Sequence, residues 1–238
     1  KKRDLKVSKR LLANAINFKS CKDQVIFEYP EIISGQGRPY RVYTPYKNNW
    51  LKNIGPQHIS DQVVNFKALA SLRNINPHII KWSFSTLGFK ESSLWLKAGE
   101  TAAQKRLKNF KKFENNYFDN RNFPCIEDGT SGLSVYLRFG NISIRQLVRN
   151  TQRKKNIGVK TWLSELVWRD FYHTILDQFP HVAESCFQVE CDQIKWPGIN
   201  RHFDLWCKGM TGYPLIDAAM RHFNKTGWMH NRLRMIVA

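Results

Sequence analysis

The sequence predicts a mixed, mainly α chain, with a small α/β portion at the front and a helical second half. Over residues 1–52, short Val/Ile/Phe-rich segments alternate with helical patterns. From Gly99 onward apolar residues recur at helical spacing. A hydrophobic content of 42% with 13% aromatic residues over 238 positions can fill a sizeable core, which excludes wholesale disorder.

Taken in order, residues from about 4 to 18 read as a helix, with Leu5, Leu11, Leu12, Ala15 and Ile16 on its apolar side. Residues 24–29 read as a short strand, and Gly35-Gln36-Gly37 as a turn. Residues 41–44 read as a second extended piece, and Pro45 precedes a helix over 46–52. The stretch 53–97, with scattered Pro, Asn and Ser, reads as an interdomain connector. Helices are expected over 100–117, 143–151, 159–178, 202–208, 213–224 and 228–238, within a helical region spanning 98–238.

The charge bears on the function. Thirty-eight Lys and Arg against 19 Asp and Glu leave a net +19, which fits a polyanionic partner, nucleic acid or anionic lipid, and equally a generically basic protein. Five dispersed cysteines with no CxxC pair argue against a disulfide framework and for reduced thiols in a cytoplasmic setting, and no metal site is read. No apolar run approaches the ~20 residues a membrane span needs. The chain opens on Lys1-Lys2-Arg3-Asp4 without an initiator Met, so a missing N-terminal portion is expected.

Three blocks carry candidate chemistry. In Trp162-Leu163-Ser164-Glu165-Leu166-Val167-Trp168-Arg169-Asp170-Phe171-Tyr172, helical projection separates two sides. Leu163, Val167, Phe171 and Ile175 form one side, and Trp162, Glu165, Trp168, Arg169 and Tyr172 share an arc on another. That arc is either a ligand face or an ordinary Glu165–Arg169 ion pair beside incidental tryptophans. The second block is Thr211-Gly212-Tyr213-Pro214, running to Gly227-Trp228-Met229-His230-Asn231-Arg232-Leu233-Arg234-Met235. Pro214 suits a first helical turn, Ile216, Met220 and Phe223 make a core stripe, and Gly227 ends the helix. The following helix presents Asn231, Arg234, Met235 and Ala238 on one side. The third block, Arg121-Asn122-Phe123-Pro124 followed by Gly129-Thr130-Ser131-Gly132-Leu133-Ser134, reads as a helix N-cap region able to cradle a phosphate.

These blocks, in this order, resemble the photolyase/cryptochrome flavoproteins, and Trp228-Met229-His230-Asn231-Arg232 resembles the class I photolyases that repair cyclobutane pyrimidine dimers. Tyr43-Thr44-Pro45-Tyr46-Lys47-Asn48 resembles the end of the family's light-harvesting domain. The resemblance implies an internal piece cut at both ends. Residues 1–52 would be the remnant of an α/β antenna domain, and residues 98–238 part of the all-helical FAD- and DNA-binding domain.

It further implies FAD as cofactor, with folate or another antenna chromophore in the family. FAD would be held by Tyr117, Thr130, Ser131, Leu133, Ser134, Trp162, Arg169, Asn231 and Arg234. Gly132 departs from the basic residue common at its position. Toward DNA containing pyrimidine dimers, Arg121 and Arg232 would hold phosphates, Trp168 would stack on the flipped-out dimer beside Tyr172 and Met235, and Glu165 would bond its base edges. Flipping the damaged bases out of the stack is how photolyases as a group reach them. Glu165, Asn231 and Trp196, the last as the surface end of an electron relay, are the catalytic candidates. The resemblance implies light-driven electron transfer from reduced flavin, no membrane and no obligate protein partner. An incomplete cavity predicts that the chain alone is weakly stable and inactive. A cryptochrome-type photoreceptor and a non-catalytic basic module are the competing readings.

Overall fold

The computed structural model describes the chain except residues 1, 62–64, 66, 68–81, 91–94, 153, 197 and 199. Its helices are α1 (Lys2–Leu12), α2 (Tyr43–Asn53), α3 (Pro56–Ile59), α4 (Glu100–Phe110), α5 (Tyr117–Asn120) and α6 (Ser134–Arg138). They continue as α7 (Ile144–Gln152), α8 (Ile157–Gln178), α9 (Asn200–Lys208), α10 (Pro214–Thr226) and α11 (Asn231–Val237). The 3-10 turns Glu114–Asn116, Pro180–Ala183 and Val189–Gln193 lie between them. The mainly helical expectation holds, and there is no strand among the described residues. Nor is any helix among them long and apolar enough to cross a membrane.

The longest helix, α8, organises the main core. Its N-cap is Asn156, whose Oδ1 accepts from the N–H groups of Gly158 (2.7 Å) and Val159 (3.4 Å). Gly158 is there for contact: a Cβ would collide with the carbonyl oxygens of Glu114 and Asn115. Helix α8 thereby sits directly on the turn that delivers Tyr117, and Lys154 pairs with the buried Glu114 beside it. The buried side of α8 includes Val159, Trp162, Leu166, Val167, Asp170, Phe171 and Thr174. It meets Ile26, Phe27, Tyr46, Trp50, Phe110 and Leu147 in one cluster. A smaller cluster of Ala219, Met220 and Met229, flanked by Trp206, Ile216, Leu233 and Val237, joins α9, α10 and α11. Arg232 ties that unit to the rest by donating to Asn122 Oδ1 from Nη2 at 2.6 Å and Nε at 3.1 Å.

Several sequence expectations change. Residues 24–29 are not a strand. Val25, Ile26 and Phe27 are buried, but their N–H groups find no neighbouring strand; those of Ile26 and Phe27 donate to Asp170 Oδ2 instead. Tyr43 and Thr44 open α2 rather than extending a strand. Helix α1 stops at Leu12, and its Leu5 and Leu12, with Ile16 beyond its end, are exposed rather than packed. Within the predicted connector, α3 is an ordered turn whose Ile59 is buried, while much of 62–94 lies outside the described residues. In α10 the buried residues are Asp217, Ala219 and Met220, and Phe223 is exposed. Pro214 does occupy the first turn of α10, and Gly227 ends it at φ 71°, its N–H donating to Phe223 O.

Candidate functional site

The exposed arc of α8 meets α2 and α5 in one polar and aromatic cluster, and α11 is joined to the end of α5 through Arg232 and Asn122. Tyr117, at the start of α5, is buried and packs edge-on against Phe110 at 5.7 Å. Burial pushes its hydroxyl up to about 12. The Arg121 guanidinium lies over the Tyr117 ring, 5.5 Å from its centroid, and its Nη1 donates to Glu165 Oε1 at 2.7 Å. The Glu165 partner is therefore Arg121 and not Arg169, one helical turn along α8. Oε2 of Glu165 has no hydrogen-bond donor among the described residues.

Trp168, next along this face, is built into a platform. Tyr43 stacks on it with centroids 3.5 Å apart and rings 7° from parallel. The Tyr43 hydroxyl donates to the Ser164 carbonyl at 2.7 Å, which fixes the ring, and burial pushes this hydroxyl too up to about 12. Phe171 presents an edge to both rings, and Tyr172 lies 5.4 Å from Trp168 at 23°. A groove of about 450 Å³ beside the platform is lined by Lys47, Arg121, Lys160, Thr161, Glu165 and Trp168 among others. From α11, Arg232 reaches toward the same region. Its Nη1 lies 3.6 Å from Met235 Sδ, and Met235 and Tyr172 are both well exposed.

The arc drawn from helical projection holds for Glu165, Trp168 and Tyr172 but not for Trp162. That ring is only 2% exposed and packs at 4.8 Å against Phe110, inside the core. Arg169 turns away from Glu165: it pairs with the backbone carbonyl of Gln24 and donates from Nη2 to Gln24 Oε1 at 2.6 Å. Burial lowers the affinity of its guanidinium for the proton. Asn231 and Arg234 are exposed on α11, with Arg234 Nε donating to Met229 O at 3.2 Å. Trp196 is 81% exposed and makes no ring contact among the described residues.

The 128–134 segment is a shaped loop rather than a helix cap. Helix α6 begins at Ser134, with no side-chain cap bond from Leu133, so Thr130 and Ser131 are not its N-cap. The Leu133 side chain belongs to the core. Gly132 has φ 61°, and Arg106 from α4 lies against it. Arg106 Nη1 donates to Asp128 Oδ1 at 2.7 Å, Nη2 to Thr130 O at 2.9 Å and Nε to Ser131 O at 2.7 Å. Asn109 adds a bond to Asp128 Oδ2 at 3.1 Å. The Thr130 and Ser134 hydroxyls have no protein partner among the described hydrogen bonds.

Sequence reasoning did not single out Arg106, Asp170 or the role of Tyr43 as the support of Trp168. Asp170 had a signal: an acid three residues after Val167 falls on the apolar side of α8 and must find buried donors. Arg106 had none, because its partners lie more than twenty residues away on a loop.

A helical core carries a Trp/Glu/Arg face and, from another segment, a glycine-bearing hydroxyl loop. Residues 1–63 match the family model described as DNA photolyase, and residues 162–238 that described as the FAD binding domain of DNA photolyase. The chain belongs to the DNA photolyase family.

A deoxyribodipyrimidine photo-lyase of Synechococcus sp. is 36% identical over 252 residues, covering 99% of this chain and 51% of that protein. A bacterial class III photolyase from Agrobacterium tumefaciens superposes with TM-score 0.78 at 29% identity, over 99% of this chain and 50% of that one. An archaeal photolyase from Sulfolobus tokodaii with two FAD molecules gives TM-score 0.70 at 27% identity, over 99% and 49%. The chain thus spans about half the length of the curated relatives it matches.

The loop suits the phosphate side of a flavin dinucleotide. Gly132 at positive φ, with Arg106 against one side of the loop, leaves backbone N–H groups and the Thr130 and Ser134 hydroxyls to meet anionic oxygens.

Proposed function

We propose that the protein acts in light-driven repair of cyclobutane pyrimidine dimers in DNA, with reduced FAD as the electron source. The observation that carries this reading is the platform of Trp168 on Tyr43 beside the Arg121–Glu165 pair. A flat aromatic surface next to a carboxylate with a free oxygen, in a groove bearing Lys47 and Lys160, suits a flipped-out pair of bases with flanking phosphates. The bound flavin supplies the photoexcited electron. The chain's residues bind and orient. Trp168, with Tyr172 at its side, stacks on the dimer. Arg121 holds the Glu165 carboxylate by Oε1, leaving Oε2 to accept from a base N–H. Arg232, fixed by Asn122, and Arg121 draw phosphates to the rim, and the +19 charge gives salt-dependent backbone affinity.

Tyr117 and the Thr130–Ser134 loop would hold the flavin's phosphate and ribityl parts, with Leu133 contributing backbone only. Trp162, Arg169, Asn231 and Arg234 would complete the lining, and Trp196 would be a surface terminus for electron exchange. Residues 1–52 would be the end of an antenna domain, and a cytoplasmic location fits the free thiols. Asn231-Arg232 favours dimer repair over a cryptochrome-type signalling role.

The experiment is an absorption spectrum after incubation with FAD and desalting, followed by binding of dimer-containing and undamaged duplexes. Retained flavin and a preference for damaged DNA that Trp168→Ala removes support the reading. An aromatic platform of this kind is worth ~1–3 kcal/mol per base. A colourless chain that binds both duplexes equally would leave only a basic nucleic-acid-binding module.

A further inference from the structure

We propose that Arg106 is the positioning residue of a diphosphate seat at Ser131–Gly132, an inference that rests on the flavin reading above. The argument starts from the peptide plane. In a trans peptide the carbonyl and the next residue's N–H point in opposite directions. Arg106 draws the Thr130 carbonyl to Nη2 (2.9 Å) and the Ser131 carbonyl to Nε (2.7 Å). The N–H groups of Ser131 and Gly132 are therefore both turned to the far side of the loop, away from the guanidinium. Among the described residues neither N–H has an acceptor within the chain. Two consecutive N–H groups held on one side, with Gly132 in the left-handed region, form an anion-binding concavity.

The clamp is specific to arginine. Its planar fork holds three acceptors at once, the third being Asp128 Oδ1 at 2.7 Å, which Asn109 holds in turn. Lysine carries its donors on one nitrogen and cannot span the three acceptors as a planar fork does. Glycine at 132 is required by the same contact. A Cβ there would lie 2.9 Å from Arg106 Nε, at a φ of +61° that side chains rarely adopt. Arg106 thus acts through the loop rather than on the ligand.

The ligand class is a diphosphate, as in ADP or a flavin dinucleotide, and not the flavin ring. The test titrates the full chain and its Arg106→Gln, Arg106→Lys and Gly132→Ala variants with FAD, ADP and riboflavin. Amide resonances of Ser131 and Gly132 are followed alongside, and thermal melts report folding. Losing oriented hydrogen bonds to a charged acceptor predicts FAD and ADP dissociation constants raised about tenfold or more in all three variants, with riboflavin unchanged. In the wild-type chain the two amide protons shift on adding ADP.

Unchanged ADP and FAD affinity in a folded Arg106→Gln chain, or full rescue by Arg106→Lys, overturns the clamp while leaving the flavin reading in place. A wild-type chain that binds neither FAD nor ADP overturns both. Should Arg106→Gln fail to fold, Gly132→Ala with equal loss for riboflavin and ADP likewise refutes a diphosphate-specific seat.

Discussion

Replacing Asp170 tests the link between the core and the functional face. This carboxylate is fully buried, and its Oδ2 accepts from Ile26 N–H (3.1 Å), Phe27 N–H (3.4 Å) and Trp50 Nε1–H (3.0 Å). Asp170→Ala would strand three buried donors. At about 1–3 kcal/mol for each unsatisfied group, the loss should exceed about 3 kcal/mol, a large part of the ~5–15 kcal/mol that holds a typical domain. Asp170→Asn keeps an acceptor oxygen for the same three donors, at the cost of an amide N–H group left unsatisfied where Oδ1 has no partner. It should cost far less.

The pH dependence separates the two further. Burial raises the Asp170 carboxyl from its ordinary 3.8 to about 6. A raised acid is favoured in its protonated form by the fold. Its contribution is fully present below 3.8 and is lost as pH rises toward 6, by roughly 3 kcal/mol in all and roughly 1 kcal/mol of it above pH 5. Urea unfolding followed by tryptophan fluorescence at pH 5 and pH 7 reads both effects. The wild-type chain should gain on Asp170→Asn as the pH drops. An alanine variant within about 1 kcal/mol of wild type, or an asparagine variant with the wild-type pH profile, would refute the reasoning. Because Asp170 anchors Trp50 of α2, the helix that also carries Tyr43, the alanine variant should also loosen the stack under Trp168.

Four other perturbations follow from single contacts. Tyr43→Phe removes only the hydroxyl bond to Ser164 and should cost about 1 kcal/mol in stability, with lesion binding retained. Tyr43→Ala removes the support of Trp168 and should weaken binding to dimer-containing DNA selectively, as a gel-shift comparison would show. Gly158→Ala drives a Cβ into the carbonyls of Glu114 and Asn115 and should cost about 1–3 kcal/mol in denaturant unfolding, displacing Tyr117 with it. Asp217 accepts from Thr211 Oγ1, Thr211 N–H and Gly212 N–H, and the Thr211 hydroxyl bond holds its carboxyl below 3.8. Its stabilisation is present above 3.8 and lost as pH falls through the lower folded value. Asp217→Asn should therefore lower the melting temperature at pH 7, with the difference closing under acid.

Much of this protein is legible in the order of its residues. Helical periodicity located α8 to within two residues at its start, and Pro214 and Gly227 marked the ends of α10, because period, proline and glycine act through local backbone physics. The Trp168, Glu165 and Tyr172 face followed from angles on one helix, and the motif blocks led to the family that the comparisons bear out. What the sequence alone determined was thus the helical class, the charge, and which residues could share a face.

The tertiary structure decided who meets whom. Residues 24–29 have a strand's composition, yet no partner strand lies beside them among the described residues, and a carboxylate on α8 takes the N–H groups of Ile26 and Phe27. Trp162 sits near the edge of the exposed arc, and packing against Phe110 placed it inside. Glu165 pairs with Arg121 from another helix rather than with Arg169 on its own, because Arg169 is drawn to Gln24. The fork of Arg106 onto the 128–132 loop joins residues whose spacing carries no periodic signal. Local propensity depends on neighbours a few positions away. Ion pairs, stacked rings and buried acids depend on which surfaces the closed core brings together.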